Sequence, residues 1–208
     1  MRGFLLFLSL SLGWLAPVSA FERTVREYKL PPVALQRADG RPMQISDALA
    51  DGRPVVLTFM YTSCQTVCPI TNQVLLEAER LLGEQAAKVN LVSISIDPDH
   101  DTVQKLSAYA RKSGNRGSFF TGDPGASESV QRAFEAWRGD KMNHEGVFLL
   151  NAGQRGDGSW TRLNGWVTPA QLIHELQVLA PALRATSIAA PAAAPATKHR
   201  FPPAPSSQ

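Results

Sequence analysis

The two cysteines of the chain, Cys64 and Cys68, stand in the stretch YTSCQTVCPI at residues 61–70, and its flanks constrain the fold more than any other feature. Upstream, residues 54–60 read PVVLTFM, a short apolar and β-branched run bounded by Asp51-Gly52-Arg53, which predicts a buried central strand. Downstream, Pro69 is tolerated in the first turn of a helix and disfavours helical geometry in the residue before it, so a helix is expected to start close to Pro69. The thiols then lie between strand end and helix start, where backbone amides stabilise an anion and enrich the thiolate, the form that attacks disulfides and binds metal. Their four-residue spacing puts the Cα atoms roughly 6 Å apart on one helical turn, within the span of a disulfide. The same spacing suits a metal. A purely structural bridge would gain little here, because so small a loop barely constrains the unfolded chain.

The start of the chain bears on which chemistry applies. Arg2, an apolar run at residues 4–15 and the small residues Val18-Ser19-Ala20 form an export signal at residues 1–20, with cleavage expected after Ala20. The run is shorter than the roughly 20 residues that span a bilayer, which favours a soluble periplasmic protein over an uncleaved inner-membrane anchor. In an oxidising compartment an exposed dithiol is oxidised unless a reductant or a metal intervenes. That narrows the chemistry to redox or metal work. At the other end, residues 185–208 are almost all Ala, Pro, Ser and Thr, and are expected to be disordered. One basic knot, Lys198-His199-Arg200, offers a point of contact with a membrane or a partner. Residues 21–184 form a single domain. The formal charge of +3 arises from Arg2, Lys198 and Arg200, outside that domain, and so does not point to nucleic acid.

The order of elements predicts an α/β fold. Asp39-Gly40 marks an N-terminal hairpin between short strands around Leu35 and Met43, followed by a brief turn at residues 46–49. Apolar residues at three- and four-residue steps from Ile70 to Leu82 give a helix stopped by Gly83. A strand at residues 89–96 and a helix at 102–113 follow, with Asp101 and Gln104 as its capping box. Next come a strand at 117–121, a turn at 122–125, a helix at 127–137, a strand at 146–151, a Gly-rich turn at 152–159 and a returning strand at 160–163. Thr168-Pro169-Ala170-Gln171 starts the last helix, whose inner face is Leu172, Ile173, Leu176, Leu179 and Leu183. Strand, helix, strand, helix argues for parallel pairing.

Three landmarks in order, FMYTSCQTVCP at 59–69, DPDHDT at 97–102 and NHEGVFLLN at 143–151, resemble the Sco/SenC family of thioredoxin-fold copper proteins. The Cys-x-x-x-Cys-Pro spacing sets them apart from ordinary thioredoxins. The resemblance implies a thioredoxin-like fold with a central mixed sheet flanked by helices. It also implies that Cys64, Cys68 and His144 occupy the copper-binding positions, with Cys64 and Cys68 forming a disulfide when oxidised. The donor chemistry agrees, since two thiolates suit Cu(I) and an added imidazole accepts Cu(II), whereas zinc would call for a fourth ligand or a bound water. By the same resemblance the partner is the copper-accepting subunit of cytochrome c oxidase, or another periplasmic copper or thiol client. Gln65, Ile70 and Glu145-Gly146 depart from the family pattern and bear on the partner surface.

Two functions are therefore expected to compete. One is a copper metallochaperone, not an enzyme, built on Cys64, Cys68 and His144. The other is a thiol–disulfide oxidoreductase in which Cys64 and Cys68 attack and resolve a client disulfide, for which His144 is dispensable. A thiol peroxidase lacks an activating set around Cys64. Asp97 and Asp101 are expected to shape a loop and cap a helix. Met142 has a thioether suited to Cu(I) but reads as a spare side chain, and His100, His174 and His199 as surface residues.

Overall fold

The computed structural model describes residues 21–153 and 158–184. The expected export signal and disordered tail lie outside these residues. Eight strands form one sheet: β1 (Phe21–Tyr28), β2 (Ala34–Arg37), β3 (Pro42–Gln44), β4 (Val55–Met60), β5 (Asn90–Ser95), β6 (Ser118–Thr121), β7 (Val147–Asn151) and β8 (Gly158–Gly165). Their spatial order is β1-β8-β7-β4-β5-β6-β2-β3. The helices are α1 (Ile45–Leu49), α2 (Val67–Leu82), α3 (Val103–Ser113), α4 (Pro124–Ala133) and α5 (Pro169–Leu179).

β4 is central, and all six of its residues are buried. Side chains alternate across a strand, so Val55, Leu57 and Phe59 join the core under α1 and α4 with Val130, Phe134 and Trp160. Val56 faces the other way, toward Val74 and Leu75 of α2 and Leu172 and Leu176 of α5. Met60 packs with Leu106 of α3 and both cysteines. Burial on both faces is what a continuous apolar run requires, and it fixes β4 as the strand from which the cysteine loop departs.

β4, β5 and β6 run parallel, whereas β7 runs antiparallel to β4. The carboxyl ends of β4 and β5 and the amino end of β7 therefore meet at one edge of the sheet. That topology brings together the cysteine loop, the DPDHD loop and the segment carrying His144, which are remote in sequence. The hairpin of β2 and β3 forms as expected, with Gly40 at φ +86° in its turn.

Several expectations shift. Residues 45–49 form a short helix rather than a turn. α4 begins at Pro124, because Asp123 accepts from the Ala126 amide and Pro124 suits the first helical position; it ends at Ala133, short of Trp137. α3 is capped by Thr102, whose hydroxyl accepts from the Lys105 amide, and not by Asp101 with Gln104. α5 carries the expected Thr168/Gln171 capping box. Among the described residues no helix is long and apolar enough to cross a membrane.

Candidate metal centre

α2 starts two residues before Pro69, so Cys68 lies in its first turn and Cys64 in the turn that leads to it. Both are free thiols, Cys64 8% and Cys68 3% exposed. The Cys68 amide donates to the Cys64 sulfur at 3.4 Å, and the Thr66 hydroxyl lies 3.8 Å away. Burial opposes ionisation of Cys64, but the amides of Cys68 and Thr66 outweigh it and bring the thiol down to about 7. Cys68 goes the other way: burial raises its thiol far above the ordinary range, reinforced by the neighbouring Cys64 sulfur. The site thus holds one half-ionised and one protonated thiol at neutral pH.

This asymmetry has a direct readout. In the reduced, metal-free protein, alkylation of Cys64 by iodoacetamide is expected to be half-maximal near pH 7, rising as pH rises, while Cys68 stays unmodified at pH 8. Peptide mass spectrometry at a series of pH values checks it; equal labelling of the two thiols would contradict the assignment.

The DPDHD loop braces the cysteine turn. Asp101 is fully buried, and its carboxylate accepts from the Thr62 amide at 2.9 Å, the Thr62 hydroxyl, and the Ser95 hydroxyl at 2.7 Å. The expected role of Asp101 in loop formation holds, but the residue it organises is Thr62, just before Cys64. Asp97 pairs with Lys141 of the His144 segment. His100 is exposed beside Lys105, and His174 is exposed on α5; His199 lies outside the described residues.

His144 follows a single 3-10 turn, Lys141–Asn143, whose cap is the Asp140 carboxylate accepting from the Met142 amide at 2.8 Å. Burial lowers its imidazole pKa, against the opposing pull of the Phe59 carbonyl, so the ring is neutral at neutral pH and available as a ligand. Gly146 lets this segment approach α2, since a Cβ there would stand 3.1 Å from a Val67 methyl.

Cys64 and Cys68 are in contact, but His144 is not drawn in with them: among the described residues no group of three His, Cys, Asp or Glu side chains is close enough to hold a metal ion. Tyr61 links the two parts. Its ring meets the His144 ring edge-on at 6.2 Å, and it packs in one buried cluster with Cys64 and Cys68. Burial first, and then the neighbouring Cys64 sulfur, raise the phenol to about 12, so it remains a donor. Sequence reasoning passed over Tyr61 and Lys141. Tyr61 could have been found from its place between the buried strand and the first cysteine, whereas nothing in the sequence pairs Lys141 with Asp97.

An apolar groove of about 310 Å³ opens beside His144, lined by Val67, Ile70, Val74, Phe148 and Trp166 together with Glu145 and Gly146. Ile70, Glu145 and Gly146 therefore share one surface.

A parallel core with a dithiol at the start of a helix and an antiparallel return beside it defines a thioredoxin-like protein. The SCO1/SenC family model matches residues 27–175, and the chain belongs to that family. It is 26% identical over 134 residues to the SCO1 protein homolog of Bacillus subtilis (strain 168), covering 59% of this chain and 68% of that protein. Its fold matches that of Arabidopsis thaliana ScoI with copper bound, with a TM-score of 0.62, 24% identity, and coverage of 72% of this chain and 96% of that one. It also matches BsSco, a member of the Sco family of cytochrome c oxidase assembly proteins in which a disulfide switch was identified, with a TM-score of 0.60, 22% identity, and coverage of 74% and 94%.

Proposed function

We propose that this protein is an exported, periplasmic copper carrier that holds copper through Cys64, Cys68 and His144 and hands it to a thiolate-rich acceptor, the copper site of cytochrome c oxidase. The observation that carries the reading is the donor set at one sheet edge: a thiol titrating near 7, a second thiol in contact with it, and a neutral imidazole one phenol ring away. Thiolates suit Cu(I), and an imidazole extends the set to Cu(II). A metal ligand must be deprotonated, and two of the three meet that condition at neutral pH with little cost; Cys68 loses its proton to the incoming cation. Family membership and the copper-bound relative support the choice of metal.

The unequal thiols favour a second reading on the same residues. The Cys64 thiolate attacks a client disulfide, forming a mixed disulfide and releasing one client thiolate. Cys68, giving up its proton, then displaces the second client sulfur. The client gains two electrons and two thiols, and this protein is left with a Cys64–Cys68 disulfide. The relative with a disulfide switch is in keeping with that chemistry.

His144 separates the two. One equivalent of copper is expected to bind the reduced protein, Cys64→Ser/Cys68→Ser to abolish binding, and His144→Ala to weaken Cu(II) binding by at least about tenfold. Competition titrations with chromophoric chelators measure this. Copper binding indifferent to His144→Ala, with disulfide reduction intact, would favour the oxidoreductase.

A further inference from the structure

Met142 is 73% exposed, yet its sulfur is engaged: the Tyr61 hydroxyl donates to Sδ at 3.9 Å. Tyr61 itself is packed in one buried cluster with Cys64 and Cys68, and its ring meets His144. Tyr61 therefore stands among thiols, an imidazole and a thioether, three of the side-chain types that bind copper. The Met142 backbone is anchored as well, by the Asp140 cap on its amide and by the Lys141–Asp97 ion pair that ties the turn to the neighbouring loop. A single exposed apolar side chain ordinarily needs no explanation. This one is held with its polarisable atom toward the cysteine site.

From this juxtaposition we propose that the Met142 thioether is a further ligand for Cu(I), joining Cys64 and Cys68, and takes no part in holding Cu(II). The inference rests on the reading that Cys64, Cys68 and His144 bind copper. A thioether is soft and uncharged, so it stabilises the monovalent ion and offers little to the divalent one. Met142 then biases the bound metal toward Cu(I), while His144 remains the ligand that admits Cu(II).

The test uses Met142→Leu, which keeps the apolar volume of an exposed side chain and removes only the sulfur. Cu(I) affinity is expected to fall by about tenfold while Cu(II) affinity and its charge-transfer absorption stay unchanged. Selenomethionine-labelled protein loaded with Cu(I) is expected to show copper–selenium scattering at the copper edge. The signal should vanish in Met142→Leu, which controls for Met60 buried against the cysteines. Unchanged Cu(I) affinity with no copper–selenium signal, while the cysteine and histidine variants still lose copper, would overturn the thioether ligand and leave the three-ligand reading standing. Failure of the parent protein to bind copper through its cysteines would overturn both.

Discussion

Asp101→Ala is expected to cost about 4 kcal/mol of folding stability, a large share of what a domain of this size possesses. The fully buried carboxylate takes three hydrogen bonds, from the Thr62 amide, the Thr62 hydroxyl and the Ser95 hydroxyl. Hydrogen bonds to a charged group contribute about 1.5–3 kcal/mol each, but the losses do not simply add. The two hydroxyls can rotate toward other acceptors. The Thr62 amide cannot, and a buried donor left unpaired costs about 1–3 kcal/mol by itself. Asp101→Asn keeps the shape and one carbonyl acceptor and is expected to lose about half as much. Urea unfolding of reduced protein measures both, and a loss below about 1 kcal/mol for Asp101→Ala would show that the loop closes without this carboxylate. Because Thr62 lies two residues before Cys64, the same variants are expected to move the pH midpoint of Cys64 alkylation upward from about 7, the direction set by losing the amides aimed at its sulfur.

How far the sequence could be read depended on whether a residue's partner was local. β4 was legible because burial on both faces demands an uninterrupted apolar run, and residues 54–60 supply it. α5 was legible because its capping box and proline lie within four residues of each other. The start of α4 carried a similar local sign in Asp123-Pro124, yet Gly122 and Gly125 around it read more strongly as a turn. β1 left no sign. Its FERTVREY pattern buries only Tyr28 fully, since it is an edge strand held by backbone pairing to β8. A strand stabilised mainly by its ladder has no hydrophobic period to detect. In the site, Cys64 and Cys68 were evident from spacing, while His144 rested on a family resemblance because the antiparallel return that carries it past β4 is a property of topology. Asp101 was misplaced for the same reason: its aspartate type and position fit a helix cap, but its partners are Thr62, 39 residues away, and Ser95.

Arg162→Leu is expected to cost about 3 kcal/mol, and to reach the metal site through the chain rather than by contact. Arg162 lies on β8 with 5% exposure, and its guanidinium donates to the Phe134 carbonyl at 2.7 Å, the Glu135 carbonyl at 3.4 Å and the Asn164 side-chain oxygen at 2.9 Å. The first two are at the end of α4, where unpaired carbonyls and the negative end of the helix dipole favour a cation. They also sit where the backbone turns sharply, with Glu135 at φ +52°, a conformation that side-chain-bearing residues adopt only under constraint. From that turn the chain runs directly to the segment that carries His144. Leucine fills part of the volume but leaves the Phe134 carbonyl buried without its donor, about 1–3 kcal/mol, and removes the charge-assisted bond that offsets the left-handed residue. Arg162→Lys keeps the charge but not the fork, so it is expected to recover about half of the loss. Release of the turn frees the His144 segment, so Cu(II) affinity is expected to fall in Arg162→Leu and return in part in Arg162→Lys, while Cu(I) binding through the cysteines stays close to that of the parent. Chemical unfolding and copper competition on the same three proteins check both expectations. A loss of stability with Cu(II) affinity untouched would show that the segment bearing His144 is positioned by Lys141 and Tyr61 alone.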